Sequence, residues 1–182
     1  MKKIVIVYGL IAGLILVSMI FIMMALVGDS SDFDRGESVG YISMVLAFSM
    51  IFFGIRSHRD KNLGGAISFN ISFRTGILIT VIACLCYVAG WLFYINYIDN
   101  SFIEKYAAFY LNKLNSSGKS SEEIKNEIVA FNKNMENYDN PGVMALFTFL
   151  EVFPIGLIIS VLCALLMRRK VSDLSSEPKE VT

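Results

Sequence analysis

Ile4-Val-Ile-Val-Tyr-Gly-Leu-Ile-Ala-Gly-Leu-Ile-Leu-Val-Ser-Met-Ile-Phe-Ile-Met-Met-Ala-Leu-Val27 decides the fold class. These 24 residues carry no charge, and about 20 apolar residues in a helix cross the hydrocarbon of a bilayer. Lys2 and Lys3 in front of the run resemble the start of a secretory signal. A signal's apolar region is only about 7–15 residues long, and it ends in a small-residue cleavage site. The run is longer, and no such site and no lipid-attachment cysteine follows it. It is read as a retained transmembrane helix, the first span over residues 4–27.

Three further apolar runs follow, at 38–55, 75–97 and 143–167. The acidic turn Gly28–Glu37 precedes the second run. Trp91, Tyr94 and Tyr97 close the third, as an interfacial aromatic belt would. The fourth holds one charge, Glu151, and is closed by Arg168-Arg-Lys170. Over all 182 residues, hydrophobic side chains make up 55%, charged ones 18%, and mean hydropathy is +0.59. A soluble domain carries about 25% charged residues. The expected fold is therefore an all-α membrane protein with four transmembrane helices. Sixteen Lys and Arg balance sixteen Asp and Glu with no basic stripe, so nucleic acid is excluded as a partner.

Orientation follows from the placement of Lys and Arg. One side of the membrane would receive Lys2, Lys3, Arg56, Arg59, Lys61, Arg74, Arg168, Arg169, Lys170 and Lys179. The other would receive Arg35 and five lysines spread through the 98–142 loop, beside seven acids. The basic clusters hug the membrane on the first side only, which makes both termini cytoplasmic. The 56–61 stretch, with the lone His58 between two arginines, is read as a solvated basic loop. Ile67, Phe69, Ile71 and Phe73 alternate with small or polar residues. An isolated strand there would leave backbone groups unpaired beside lipid, so residues 63–74 are expected to lie in the plane of the interface.

The 98–142 loop has its own pattern. Phe102, Ile103, Tyr106, Phe109, Tyr110 and Leu114 recur at helical steps, and Asn115–Lys119 breaks them as a turn. Ser120 followed by Glu123 is a capping box for a second helix. Ile124, Ile128, Phe131 and Met135 then form one apolar stripe. An extracytoplasmic helical hairpin over about 99–139 is expected, with Ile128 and Phe131 buried. Residues 1–170 form the transmembrane domain, and 171–182 a disordered cytoplasmic tail.

Chemistry-bearing motifs are sparse. Phosphate loops, zinc-binding helices and nucleophile elbows are missing, and no Cys/His ligand spacing occurs among Cys84, Cys86, Cys163 and His58. No cofactor, metal or catalytic residue is expected, and the chain is not read as an enzyme. Glu151-Val-Phe-Pro-Ile-Gly156 is the most informative stretch. A carboxylate within a span is expensive and marks a functional or structural polar site. Pro154 frees the carbonyl of Leu150 and is expected to kink the helix, and Gly156 admits a close neighbour. Glu151 is expected to face the bundle interior, neutral, with partners among Ser18, Ser43, Tyr87 and Tyr94 and with Trp91 as a wall. Gly9 and Gly13 form a small-xxx-small motif for helix packing, within the chain or between copies.

Several stretches together resemble the domain of unknown function 4199 family (DUF4199). They are Met1-Lys-Lys-Ile4 with Tyr8-Gly-Leu-Ile-Ala-Gly13, Phe73-Arg-Thr-Gly76, Trp91, and Glu151-x-Phe-Pro-x-Gly156 before a span ending in Arg-Arg-Lys. The resemblance covers about residues 1–170 and implies a bacterial inner (cytoplasmic) membrane. It implies no activity, substrate or catalytic residue. The expected function is that of a non-enzymatic scaffold or accessory partner in a lipid bilayer, assembling with itself or with another membrane protein. The alternative is a component of a small transporter or channel that uses Glu151 for proton or ion coupling.

Overall fold

The computed structural model describes residues 1–27, 33–138 and 140–168. Among these residues there are six helices and no strand: α1 (Lys2–Val27), α2 (Phe33–Asn62), α3 (Phe69–Tyr97), α4 (Phe102–Asn115), α5 (Ser121–Tyr138) and α6 (Pro141–Met167). Four of them, α1, α2, α3 and α6, are long and apolar enough to cross a membrane. They run up and down, so Met1 and Arg168 lie at one end of the bundle and the α4–α5 hairpin at the other. Of the acidic turn expected at 28–37, residues 28–32 lie outside the described residues, as does the tail at 171–182, while 33–37 are helical and open α2 rather than preceding it.

Glycine sets how closely the spans approach. α1 and α3 run parallel, with Gly9 against Ile82, Gly13 against Cys86, and Val17 against Gly90. Each contact is four residues beyond the last on both helices, so one ridge of small residues is continuous. A methyl group on Gly9 would lie 2.8 Å from Ile82, and one on Gly90 2.7 Å from Val17. α3 and α6 run antiparallel over a second such seam, where Gly76 meets Ser160 and Gly156 meets Thr80. Phe48, Ile51 and Ile55 of α2 fill the centre with Leu16, Ile79 and Val152, all fully enclosed.

Two boundaries differ from the sequence expectation, at the end of the bundle that holds the termini. α2 continues past Ile55 to Asn62, so the basic stretch is helical and not a loop. Ile51, Ile55 and His58 step by four and three along one face, and His58 is buried at 5% exposure rather than solvated. Arg56 and Asp60 stay on the outward face, 3.6 Å apart. Gly64 and Gly65, at φ of 64° and 93°, then reverse the chain at once. The Gly65 amide donates to the Arg59 carbonyl at 3.1 Å. α3 therefore begins at Phe69, six residues earlier than the apolar run implies. Residues 69–74 are its first turns and not an in-plane segment, with Phe69 and Phe73 stacked at 5.8 Å. Among the described residues, two enclosed side-chain atoms here have no hydrogen-bond partner, His58 Nδ1 and Ser72 Oγ.

The hairpin is capped as its sequence implies. The Ser120 hydroxyl and amide donate to the Glu123 carboxylate at 2.7 and 3.0 Å, and the Glu123 amide donates back to the hydroxyl. Those hydrogen bonds hold the Glu123 carboxyl below its ordinary range. A carboxyl depressed in the folded state contributes stability above its unfolded pKa and loses it as pH falls through the folded value. The first turn of α5 should therefore fray as pH drops through and below the usual carboxylate range. Amide exchange of residues 121–124 between pH 7 and 3 should show this in the wild type and not in Glu123→Gln. A wild-type profile equally flat would mean the box does not form.

An aromatic ladder fixes the hairpin to the spans. Trp91 meets Phe102 edge to face at 5.2 Å, Phe102 stacks on Tyr106 at 6.4 Å, and Tyr110 stacks on Phe131 at 4.4 Å. Ile124, Ile128, Phe131 and Met135 are half-buried rather than fully buried, on a helix that packs against both α4 and α6. Asn140 caps α6 by accepting from the Gly142 amide at 2.9 Å, with Pro141 in the first turn.

Candidate functional site

At the hairpin end the four spans splay around a cleft of about 100 Å³. α1 lines it with Leu16, Met19, Ile20 and Met23, and α2 with Gly40, Tyr41, Ser43 and Met44. α3 contributes Tyr87 and Trp91, and α6 contributes Glu151. The physical origin of the gap is visible at Gly40. Among the described residues, a side chain there would meet nothing within 4 Å, whereas a methyl on Gly9, Gly76, Gly90 or Gly156 would collide with a neighbour. α2 thus presents a bare backbone just where the other helices present long side chains.

The cleft gathers Glu151 with three of the groups expected around it, Ser43, Tyr87 and Trp91. Ser43 is buried and its hydroxyl donates to the Val39 carbonyl at 2.7 Å, which leaves its oxygen to accept. Ser18 and Tyr94 are not part of it. Ser18 is exposed on the outer face of α1. Tyr94 is buried and belongs to the hairpin anchor, against Phe21, Trp91 and Phe102. The interior placement expected for Glu151 is corrected: it is exposed, as is Tyr41 at 49%, so the two stand at the rim. The reason lies in its neighbours, since Val152 beside it and Gly156 further along take the enclosed face of α6 and turn Glu151 outward. The hairpin reaches the same neighbourhood. Burial raises the Tyr138 phenol above its ordinary range, and the Glu151 carboxylate adds to that shift.

Pro154 is exposed and α6 runs through it as one helix from Pro141 to Met167. Gly156 does not line the cleft and serves packing against Thr80 and Phe48. Beside it lies a polar pair that the sequence did not single out. Thr80 Oγ1 and Ser160 Oγ are 3.2 Å apart and fully enclosed. Each hydroxyl also reaches the carbonyl one turn back, Thr80 to Gly76 at 3.1 Å and Ser160 to Gly156 at 2.7 Å. The signal was present as glycine four residues before a hydroxyl on both helices, Gly76/Thr80 and Gly156/Ser160. Among the described residues, no three His, Cys, Asp or Glu side chains converge as a metal site would require.

Four membrane-length helices, a helical hairpin across one end and one acidic cleft beneath it define a small multi-pass helical membrane protein. The chain belongs to the family described as Protein of unknown function (DUF4199), whose model matches residues 7–169. No curated protein and no solved structure matches it.

Proposed function

We propose that this is a non-enzymatic scaffold or accessory protein of a bacterial inner membrane, with both termini cytoplasmic and the hairpin outside. The observation that carries the proposal is the way the hairpin is held. The ladder from Trp91 through Phe102 and Tyr106 to Phe131 fastens it to the spans, while Val129 faces outward at 61% exposure. A fixed helical platform with an apolar residue pointing away from the bundle suits a protein partner. The basic clusters near the termini support the orientation.

A photocrosslinker at position 129 in native membranes should trap one discrete adduct. The same group at lipid-facing Leu14, 67% exposed, should not. No adduct at 129, or the same adduct at both sites, overturns the scaffold. Orientation has its own check, since Ser117→Cys should react with an impermeant maleimide in intact cells. Labelling only after permeabilisation would reverse the topology. The cleft favours a second function, proton- or ion-coupled transport through Glu151, for which Glu151→Gln should abolish flux while leaving the protein folded.

A further inference from the structure

Three of the chain's nine methionines, Met19, Met23 and Met44, line the cleft at the hairpin end. Gly54 lies against Tyr8 where α1 and α2 run antiparallel. Counting along both helices from that contact brings Met19 to the level of Ser43 and Met44, and Met23 to that of Val39 and Gly40. Helical side chains lean back toward the helix N-terminus. Met23 therefore leans toward Met19, and Met44 leans over the bare backbone of Gly40, so the three side chains close on the same space. A cleft of about 100 Å³ is small enough for flexible, unbranched methionines on its two walls to meet across it. Trp91 stands in the wall with them.

Thioethers are soft, uncharged donors that carry no proton. Hard ions take oxygen ligands, whereas thioether sulfur selects soft ions such as copper(I). The ring face of Trp91 also attracts a monovalent cation. Among the described residues no cysteine or histidine lines the cleft, so the sulfur there is methionine sulfur. We propose that Met19, Met23 and Met44 form a binding site for a soft monovalent metal ion of the copper(I) class. The site rests on the three thioethers and is independent of the scaffold role and of any proton coupling at Glu151. Trp91 is the one tryptophan of the chain, so its emission reports on the cleft wall.

The test titrates the full-length protein, in a chloride-free maltoside buffer, with silver nitrate as a redox-inert stand-in for copper(I). Saturable quenching of tryptophan emission is expected with silver and not with matched potassium or zinc nitrate. Met23→Leu and Met44→Leu should each weaken the apparent affinity at least tenfold, since leucine keeps the bulk of the side chain and removes the sulfur. Met24→Leu, one residue away but packed against the hairpin anchor, should titrate as the wild type does. The three cysteines are the competing soft ligands. A Cys84→Ala/Cys86→Ala protein should therefore keep the response, because these thiols lie on the same helix as Trp91. Circular dichroism and gel-filtration profiles matching the wild type establish folding, and two separate methionine variants guard against one that fails it. Wild-type affinity in the folded methionine variants overturns the site. So does an equal response to zinc, or loss of the response in the folded cysteine variant, which would assign the ion to a thiol.

Discussion

Gly156→Ala should destabilise the bundle by about 1–3 kcal/mol, and Gly156→Leu should prevent its assembly. Helix propensity alone argues the opposite sign, since alanine is favoured over glycine by about 1 kcal/mol in a helix interior. Packing decides against it. A methyl on Gly156 would run into the Thr80 side chain and lie 2.9 Å from the Phe48 ring. Thr80 cannot rotate away cheaply, because its hydroxyl is engaged by the Gly76 carbonyl and Ser160. Phe48 is fully enclosed and cannot retreat. Forcing a methylene into such a site costs about 1–3 kcal/mol, occasionally more. Thermal unfolding in mild detergent measures the effect, with Gly40→Ala as the control of opposite expectation. A Gly156→Ala protein as stable as the wild type would mean that α3 and α6 are farther apart than described.

Gly13→Ile should likewise collapse stability without changing the number of subunits. A small-xxx-small motif on a first span has two uses, joining copies or joining helices of one chain. In this fold Gly13 is enclosed against α3, where an added carbon would lie 2.8 Å from Cys86 Sγ and 3.5 Å from the Ala83 backbone. A β-branched side chain there must push two spans apart along the whole Gly9–Val17 ridge. The expected loss exceeds that of Gly156→Ala, because several methylenes and not one must be accommodated. Light scattering coupled to gel filtration distinguishes the alternatives. A variant that remains well folded but shifts from dimer to monomer would place the motif at an interface between copies.

Both predictions concern glycines, and they divide what could be read in the chain from what could not. Four spans, the two-helix hairpin and the Ser120–Glu123 cap were legible because each is a local property. A charge-free run longer than the bilayer, or a side chain able to bond three residues away, needs no knowledge of the rest of the molecule. The ends of α2 and α3 were misjudged for the same reason. Hydropathy marks where lipid stops, but the helical backbone bonds continue through Arg56–Asn62 until two glycines at positive φ halt them. The alternation from Ile67 to Phe73 suggested an in-plane interfacial segment because short periodicities are ambiguous.

The sequence by itself determined that Glu151, Gly156, Gly9 and Gly13 were exceptional, since each breaks the composition of a span. Only the tertiary structure decided what each one does. Rotation of α6 about its axis sends Gly156 inward and Glu151 to the rim, a choice fixed by which α6 residues α2 and α3 can enclose. Partner selection was equally non-local. Ser43, Tyr87 and Trp91 share a cleft with Glu151, beside Gly40 of α2, while Tyr94, one turn from Trp91, is taken by the hairpin anchor. A lone chain carries the inventory of small, aromatic and polar groups. The helix rotations and registers that bring three of them to one carboxylate arise only when four helices compete for the same interior.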